Sequence, residues 1–273
     1  MEEVFRGTWV IAYRELLRFV QERSRMLTSF GMPLLFLVIF GAGFNRIIGN
    51  ITPGVDFIKF IYPGIVAMTV LMTSVFSGLS VVWDREFGFL KEVLVAPLSR
   101  TGIVLGKAAG GAAVATVQGM VMLVFTPIVG IPLTPVLVLK VVPLLIILSL
   151  SLSGLGILVA SRMRSQQGFH MVVQLMIFPL IFLSGVFFPV NSVPTWLQVI
   201  SKINPLTYGV DAIRQILLGG DFANASSGIG SSNAVVGVTV FGHTMTAFEN
   251  VIVIAILGVV LMLAATWSFN KQD

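Results

Sequence analysis

Six charged residues, Asp84, Arg85, Glu86, Lys91, Glu92 and Arg100, fall within the 17 residues of "DREFGFLKEVLVAPLSR", in a chain of which only 11% is charged. A second, sparser group, Lys202, Asp211 and Arg214, lies in "GVFFPVNSVPTWLQVISKINPLTYGVDAIRQILLGG". Neither group has the spacing of a catalytic or metal-binding constellation. His170 and His243 stand too far apart in sequence to suggest a metal site, and no cysteine supplies a thiolate or a disulfide. No G-x-x-x-x-G-K-[ST] loop is present to cradle a nucleotide. The chemistry to expect is electrostatic: pairing, capping of helix ends and docking.

The elements that carry these residues are set by lipid. The 273 residues are 56% hydrophobic with a mean hydropathy of +0.98, far from the roughly one-quarter charged composition of soluble domains. Apolar runs long enough to cross about 30 Å of hydrocarbon recur, and in lipid a spanning backbone must satisfy its own hydrogen bonds as a helix or closed barrel. With no alternating barrel pattern, the expected fold is an all-α integral membrane protein of six spans, at about 27 to 45, 60 to 83, 103 to 129, 137 to 160, 168 to 188 and 249 to 269. No short hydrophobic core followed by a cleavage site marks a signal peptide.

Six spans place both termini on one side. If that side is the cytoplasm, twelve of the 17 basic residues lie inside, and Arg46, Lys59, Lys140, Lys202 and Arg214 lie outside, the asymmetry of cytoplasmic termini. The net charge of +5 is therefore a matter of topology and gives no reason to expect nucleic acid. Residues 1 to 26 form a candidate interfacial helix against membrane lipid, with Trp9, Ala12, Tyr13, Leu16 and Val20 on one face and Arg14, Arg18, Gln21 and Arg25 on another.

Between Gly185 and Gly220, Pro189, Pro194 and Pro205 interrupt the apolar run. Two short helices are expected, one capped by Ser192 and one by Asn204 with Pro205 at its first position. At about 10 and 14 residues they reach only about 15 and 21 Å, so they read as an external re-entrant hairpin. Trp196 and Tyr208 would anchor it at the headgroups, and Asp211 and Arg214 would pair near water. The Gly- and Ser-rich stretch from 219 to 248 reads as an exposed loop.

The first charged group then lies in a cytoplasmic loop between spans two and three. On a helix beginning near Asp84, the residues Phe87, Leu90, Val93 and Leu94 share one stripe, with Asp84 and Glu86 at the favourable N-terminal end. Such a rod suits transmission of force from a cytoplasmic partner, and equally an ordinary turn resting on lipid. Gln118 and Gln174, within spans, need polar partners. Met68, Met72, Thr73 and Phe76 on span two give an adaptable surface suited to amphipathic cargo or to packing.

"WDREFGFLKEVLVAPLSRTGIVLGK" resembles the cytoplasmic loop of ATP-binding-cassette type-2 (ABC-2) exporter permeases, and "LSGVFFPVNSVPTWLQVISKINPLTYGVDAIR" resembles their external hairpin. The resemblance covers the count and order of the spans. It implies that residues 27 to 273 form the transmembrane domain and that Glu86, Phe87, Leu90, Val93 and Leu94 couple to an ATPase. It also implies an external gate containing Trp196, Pro205, Tyr208, Asp211 and Arg214, and a cargo route bordered by spans one, two and five. Two permeases, copies or paralogues, would sit over two copies of an ABC ATPase in a prokaryotic cell membrane. ATP and Mg would bind the partner, leaving this chain no cofactor and no catalysis. The cargo class expected is drug-like, lipid or lipid-linked; dedicated polysaccharide export is the alternative. A lone ion-coupled transporter or channel is disfavoured because the spans lack carboxylates.

Overall fold

A computed structural model describes residues 2–21, 30–41, 43, 57–87, 100–228, 237–240 and 243–271. The chain is an all-α integral membrane protein. Its helices are α1 (Glu2–Gln21), α2 (Phe30–Gly41), α3 (Phe57–Phe76), α4 (Leu79–Glu86), α5 (Arg100–Val124), α6 (Pro135–Arg162), α7 (Gln166–Leu183), α8 (Thr195–Ile203), α9 (Pro205–Gly228) and α10 (Ala247–Asn270). Five stretches are long and apolar enough to cross a membrane: α3 with α4, then α5, α6, α7 and α10. The apolar α2 lies within the expected first span, of which residues 30–41 and 43 are described.

Local signals set the ends of these helices. Thr134 accepts the Leu137 N–H at 3.2 Å ahead of Pro135, and Ser165 accepts the Gly168 N–H at 3.2 Å. Thr246 and Glu249 form a reciprocal capping box at the start of α10. The third span ends as a helix at Val124, earlier than the expected 129. A 3₁₀ turn over Thr126–Val129, containing Pro127, follows and closes on Gly130 at φ 78°.

The α3–α4 stretch is the centre of the bundle, with 72% of its spanning window buried against 22% for α7 and α10. It breaks at Ser77–Gly78, where it crosses α6 backbone to backbone: a Cβ on Gly78 would lie 2.4 Å from the Gly156 carbonyl oxygen. Helix α1 lies along α5, buries Ile11 and Phe19, and donates from Thr8 Oγ1 to the Gly102 carbonyl at 3.4 Å. Its docked face differs from both faces expected from sequence. Gly106 and Gly110 seat it, since a Cβ at either would meet Ile11 or Glu15 within 2.9 Å. Trp9, Val10, Tyr13 and Leu17 remain exposed.

The bundle has two distinct ends. One gathers Arg14, Arg18, Arg85, Lys107, Arg162 and Lys271; the other carries α8, α9 and a two-residue antiparallel pairing of Thr239–Val240 with His243–Thr244. Among the described residues from 219 to 248, α9 runs on after a non-helical Gly219 and Val238 is buried, which departs from the exposed loop expected there.

Candidate functional site

At the basic end, three consecutive residues closing α4 each reach a different helix. Asp84 Oδ2 pairs with Lys107 Nζ of α5 at 2.6 Å and lies 3.9 Å from Arg14 of α1. Lys107, 3% exposed, also donates to Ser80 Oγ at 3.1 Å. Arg85 Nη1 donates to the Ser161 and Met163 carbonyls at 3.1 and 2.7 Å, closing the C-terminal end of α6 where carbonyls lack partners. Glu86 Oε2 accepts the Gln166 N–H at 3.1 Å, placing a carboxylate at the positive N-terminal end of α7. Beside them the Arg18 guanidinium stacks 4.8 Å over the Trp83 ring. Ser161 and Arg162 in turn reach Ser268 Oγ of α10 at 2.7 and 2.8 Å. The root of the charged loop is therefore fastened to α1, α5, α6 and α7.

This corrects the expected helix polarity. Asp84 and Glu86 occupy the last turn of α4 and do not open a new helix; the helix runs on through them because α5 and α7 supply opposite charge and free N–H groups. Phe87, the first stripe residue, follows α4 and is 66% exposed. Leu90, Val93 and Leu94 lie outside the described residues. A cleft of about 280 Å³ lined by Arg18, Trp83, Asp84, Phe87 and Gln166 opens here.

The opposite end contains a buried polar cluster. Asn204 caps α9 as expected, accepting the Leu206 N–H at 3.0 Å with Pro205 at the first helical position, and its amide donates to the Leu180 carbonyl at 2.7 Å. Ser192 does not cap α8: it ends a 3₁₀ turn, and Pro194 takes the cap position. The exposed stripe Trp196, Val199, Ile200 and Ile203 makes α8 the outer layer of the hairpin.

Helix α9 is the inner layer, which overturns the expected placement of three gate residues. Tyr208 is buried and donates to the Lys202 carbonyl at 2.7 Å; it ties α8 to α9 and presents no exposed ring for lipid to meet. Asp211 and Arg214 do not reach water, at 3% and 5% exposed, and each is held by different groups. Asp211 Oδ2 accepts from Asn250 at 2.7 Å and Gln215 at 2.8 Å, while Gln215 also donates to the Met245 carbonyl at 2.8 Å. Arg214 donates to the Gly185 carbonyl at 2.8 Å and lies 4.1 Å over the Phe60 ring. Burial raises the Asp211 carboxyl above its ordinary range, against the opposing pull of the Asn250 amide and the Arg214 charge. The covering elements, residue 238 and the start of α10, come from beyond the hairpin.

Of the span-two residues, Met68 is in the core, whereas Met72, Thr73 and Phe76 are half-buried. Thr73 donates to Gln118, which supplies the polar partner that buried amide needs. The Phe76 ring lies 5.5 Å from that of His170 of α7, tilted by 38°, and with Thr73 it lines a cleft reaching Arg18 and Trp83. His243 lies 3.3 Å from Glu249. Sequence reasoning missed Lys107 and Asn250. Lys107 had a signal: a cation inside an apolar run requires an acid at the same depth.

A helical bundle of membrane-crossing length, with a charged loop root at one end and a broken, buried hairpin at the other, defines a polytopic membrane protein. Residues 6–218 match the family model described as ABC-2 type transporter, and the chain belongs to that family. It is 35% identical over 204 residues to a putative transport permease, ycf38, of Cyanophora paradoxa, covering 72% of this chain and 70% of that one. It is 36% identical over 172 residues to the probable multidrug ABC transporter permease YbhR of Escherichia coli K12, covering 61% and 45%. With nodulation protein J of Rhizobium meliloti it shares 29% identity over 210 residues, covering 76% and 79%.

Proposed function

We propose that this chain is the transmembrane permease subunit of an ATP-driven exporter moving an amphipathic drug-like, lipid or lipid-linked cargo outward. Two permeases work over two copies of a separate ABC ATPase, which binds ATP and Mg. The observation that carries this reading is the rooting of the charged loop: Asp84, Arg85 and Glu86 join its start to α5, α6 and α7. A push on that loop from a docked ATPase is delivered to several spans at once, including α7, whose His170 ring packs against Phe76 of span two. Similarity to a probable multidrug permease supports the cargo class. Phe87, Leu90, Val93 and Leu94 would meet the ATPase, and Met72, Thr73 and Phe76 the cargo. The inner hairpin helix holds the external gate in place through Tyr208, Asp211 and Arg214, leaving the outer helix with Trp196 as its surface.

The outward direction requires the basic end to face the cytoplasm of the cell membrane, with both termini inside. The chain has no cysteine, so single cysteines report without background. Cysteines replacing Ser227 or Ser231 are expected to react with an impermeant thiol reagent on intact cells. Those replacing Ser99 or Ser165 are expected to react only after the membrane is opened. Labelling of S165C from outside contradicts the orientation and with it the direction of transport.

A further inference from the structure

We infer that the cleft between α1, the α3–α4 stretch and α5 holds the headgroup of an aminophospholipid, its ammonium on Glu15 and its phosphate on Arg18 and Trp83. The inference concerns a bound lipid and stands whether or not the chain works with an ATPase.

The cleft encloses about 50 Å³, and its polar lining is Glu15, Arg18, Thr73, Ser77, Ser80 and Trp83. Toward the basic end it shares Arg18 and Trp83 with the larger cleft that also takes in Phe87. Phe19, Phe76 and Val114 supply apolar walls.

The polar groups divide by sign. The hydroxyls have already given their protons away: Thr73 donates to Gln118, Ser77 to the Ser74 carbonyl at 2.6 Å and Ser80 to the Ser77 carbonyl at 3.0 Å. Thr73 and Ser77 therefore have lone pairs to offer. Glu15 adds a carboxylate whose side chain is 16% exposed. Gly110 fixes its position, because a Cβ there would lie 2.8 Å from the Glu15 Cβ. Arg14 reaches Glu15 Oε1 at 3.4 Å from a side chain 55% exposed, a pairing of little worth. Lys107, the buried cation of this end, is committed to Asp84 and Ser80. A carboxylate set among acceptors calls for a compact donor, and a primary ammonium brings three N–H groups.

One turn along α1 the demand reverses. The Arg18 guanidinium lies over the Trp83 ring, and the buried Trp83 Nε1–H has no acceptor among the described residues. A buried donor left unmade is costly. Phosphate oxygens satisfy it and match a guanidinium. Glu15 and Arg18, three residues apart on one helix face, are offset by about 4.5 Å along the axis, a spacing that suits an ammonium and a phosphate joined by two carbons. A choline headgroup has no N–H for Glu15, and its methyl groups crowd the enclosed room. An anionic glycerol headgroup leaves Glu15 without a donor.

The test uses the whole chain in detergent and reads thermal unfolding as lipids of one acyl composition are added. Phosphatidylethanolamine is expected to raise the unfolding temperature by about 4 °C more than phosphatidylcholine or phosphatidylglycerol does. Glu15→Gln keeps the shape and is expected to erase that advantage. Trp83→Phe keeps a ring under Arg18 but loses the N–H; it is expected to shrink the response to phosphatidylethanolamine, and it serves if E15Q does not accumulate. Equal shifts from the ethanolamine and choline lipids overturn the proposal, as does an undiminished advantage in E15Q. A larger shift from phosphatidylglycerol would make this a plain anion site and also overturns it. Soluble phosphoethanolamine at the same concentration is expected to do little; a shift as large as the lipid's would assign the cleft to a free metabolite and overturn the lipid assignment.

Discussion

Arg214→Ala is expected to be among the most damaging single substitutions in this chain, lowering stability by about 3–5 kcal/mol, the usual cost of breaking a buried, hydrogen-bonded charge cluster. The guanidinium donates to the Gly185 carbonyl and stacks on Phe60 at almost no exposure. Its loss orphans a buried acceptor where the hairpin leaves α7 and opens a void against α3. Asp211→Ala should approach the same loss, because it strands the amides of Asn250 and Gln215. Arg214→Lys is expected to recover only part of it, since an ammonium keeps the charge without the planar fork. Thermal unfolding in detergent measures all three. Changes near 0.5 kcal/mol, as at ordinary surface positions, would mean that the cluster is not the anchor of the hairpin.

The second large effect is expected at the root of the charged loop. Asp84→Ala leaves Lys107 buried without its carboxylate and should also cost about 3–5 kcal/mol. Replacing both partners, as in Asp84→Leu with Lys107→Met, should restore much of that stability, because an apolar pair needs no compensation in this setting. The double variant separates folding from mechanism: it should fold yet couple poorly, having lost the tie between loop and α5. A double-mutant cycle on unfolding, run with ATP turnover of the assembled complex, reads both. Single variants as stable as the native chain would show that the ion pair contributes nothing.

Where the sequence proved readable, a local rule was enough. Lipid forces apolar runs into helices, so the later spans lie where their hydropathy places them, and Asn204–Pro205 announces the start of α9 because a cap is written in adjacent residues. Misreadings arose where a polar group is satisfied from far along the chain. Asp211 and Arg214 look water-seeking in a short helix, but their partners are Asn250 and Gly185. Asp84 and Glu86 look like the start of a helix, but Lys107 and the first amide of α7 let them end one. No periodicity within the hairpin or the loop carries that information.

The central claim is that the loop rooted at Asp84, Arg85 and Glu86 is where a separate ATPase docks and drives the spans. The most direct measurement is co-purification of an ABC ATPase with the tagged native chain and with the Phe87→Asp, Leu90→Asp double variant, each extracted in mild detergent. Phe87 is exposed and makes no contribution to the ties of the root, so the variant should insert and fold as the native chain does. The native chain is expected to bring the ATPase down in equal numbers of subunits, and the double variant to lose it. Undiminished recovery of the ATPase with both aspartates in place would contradict the account.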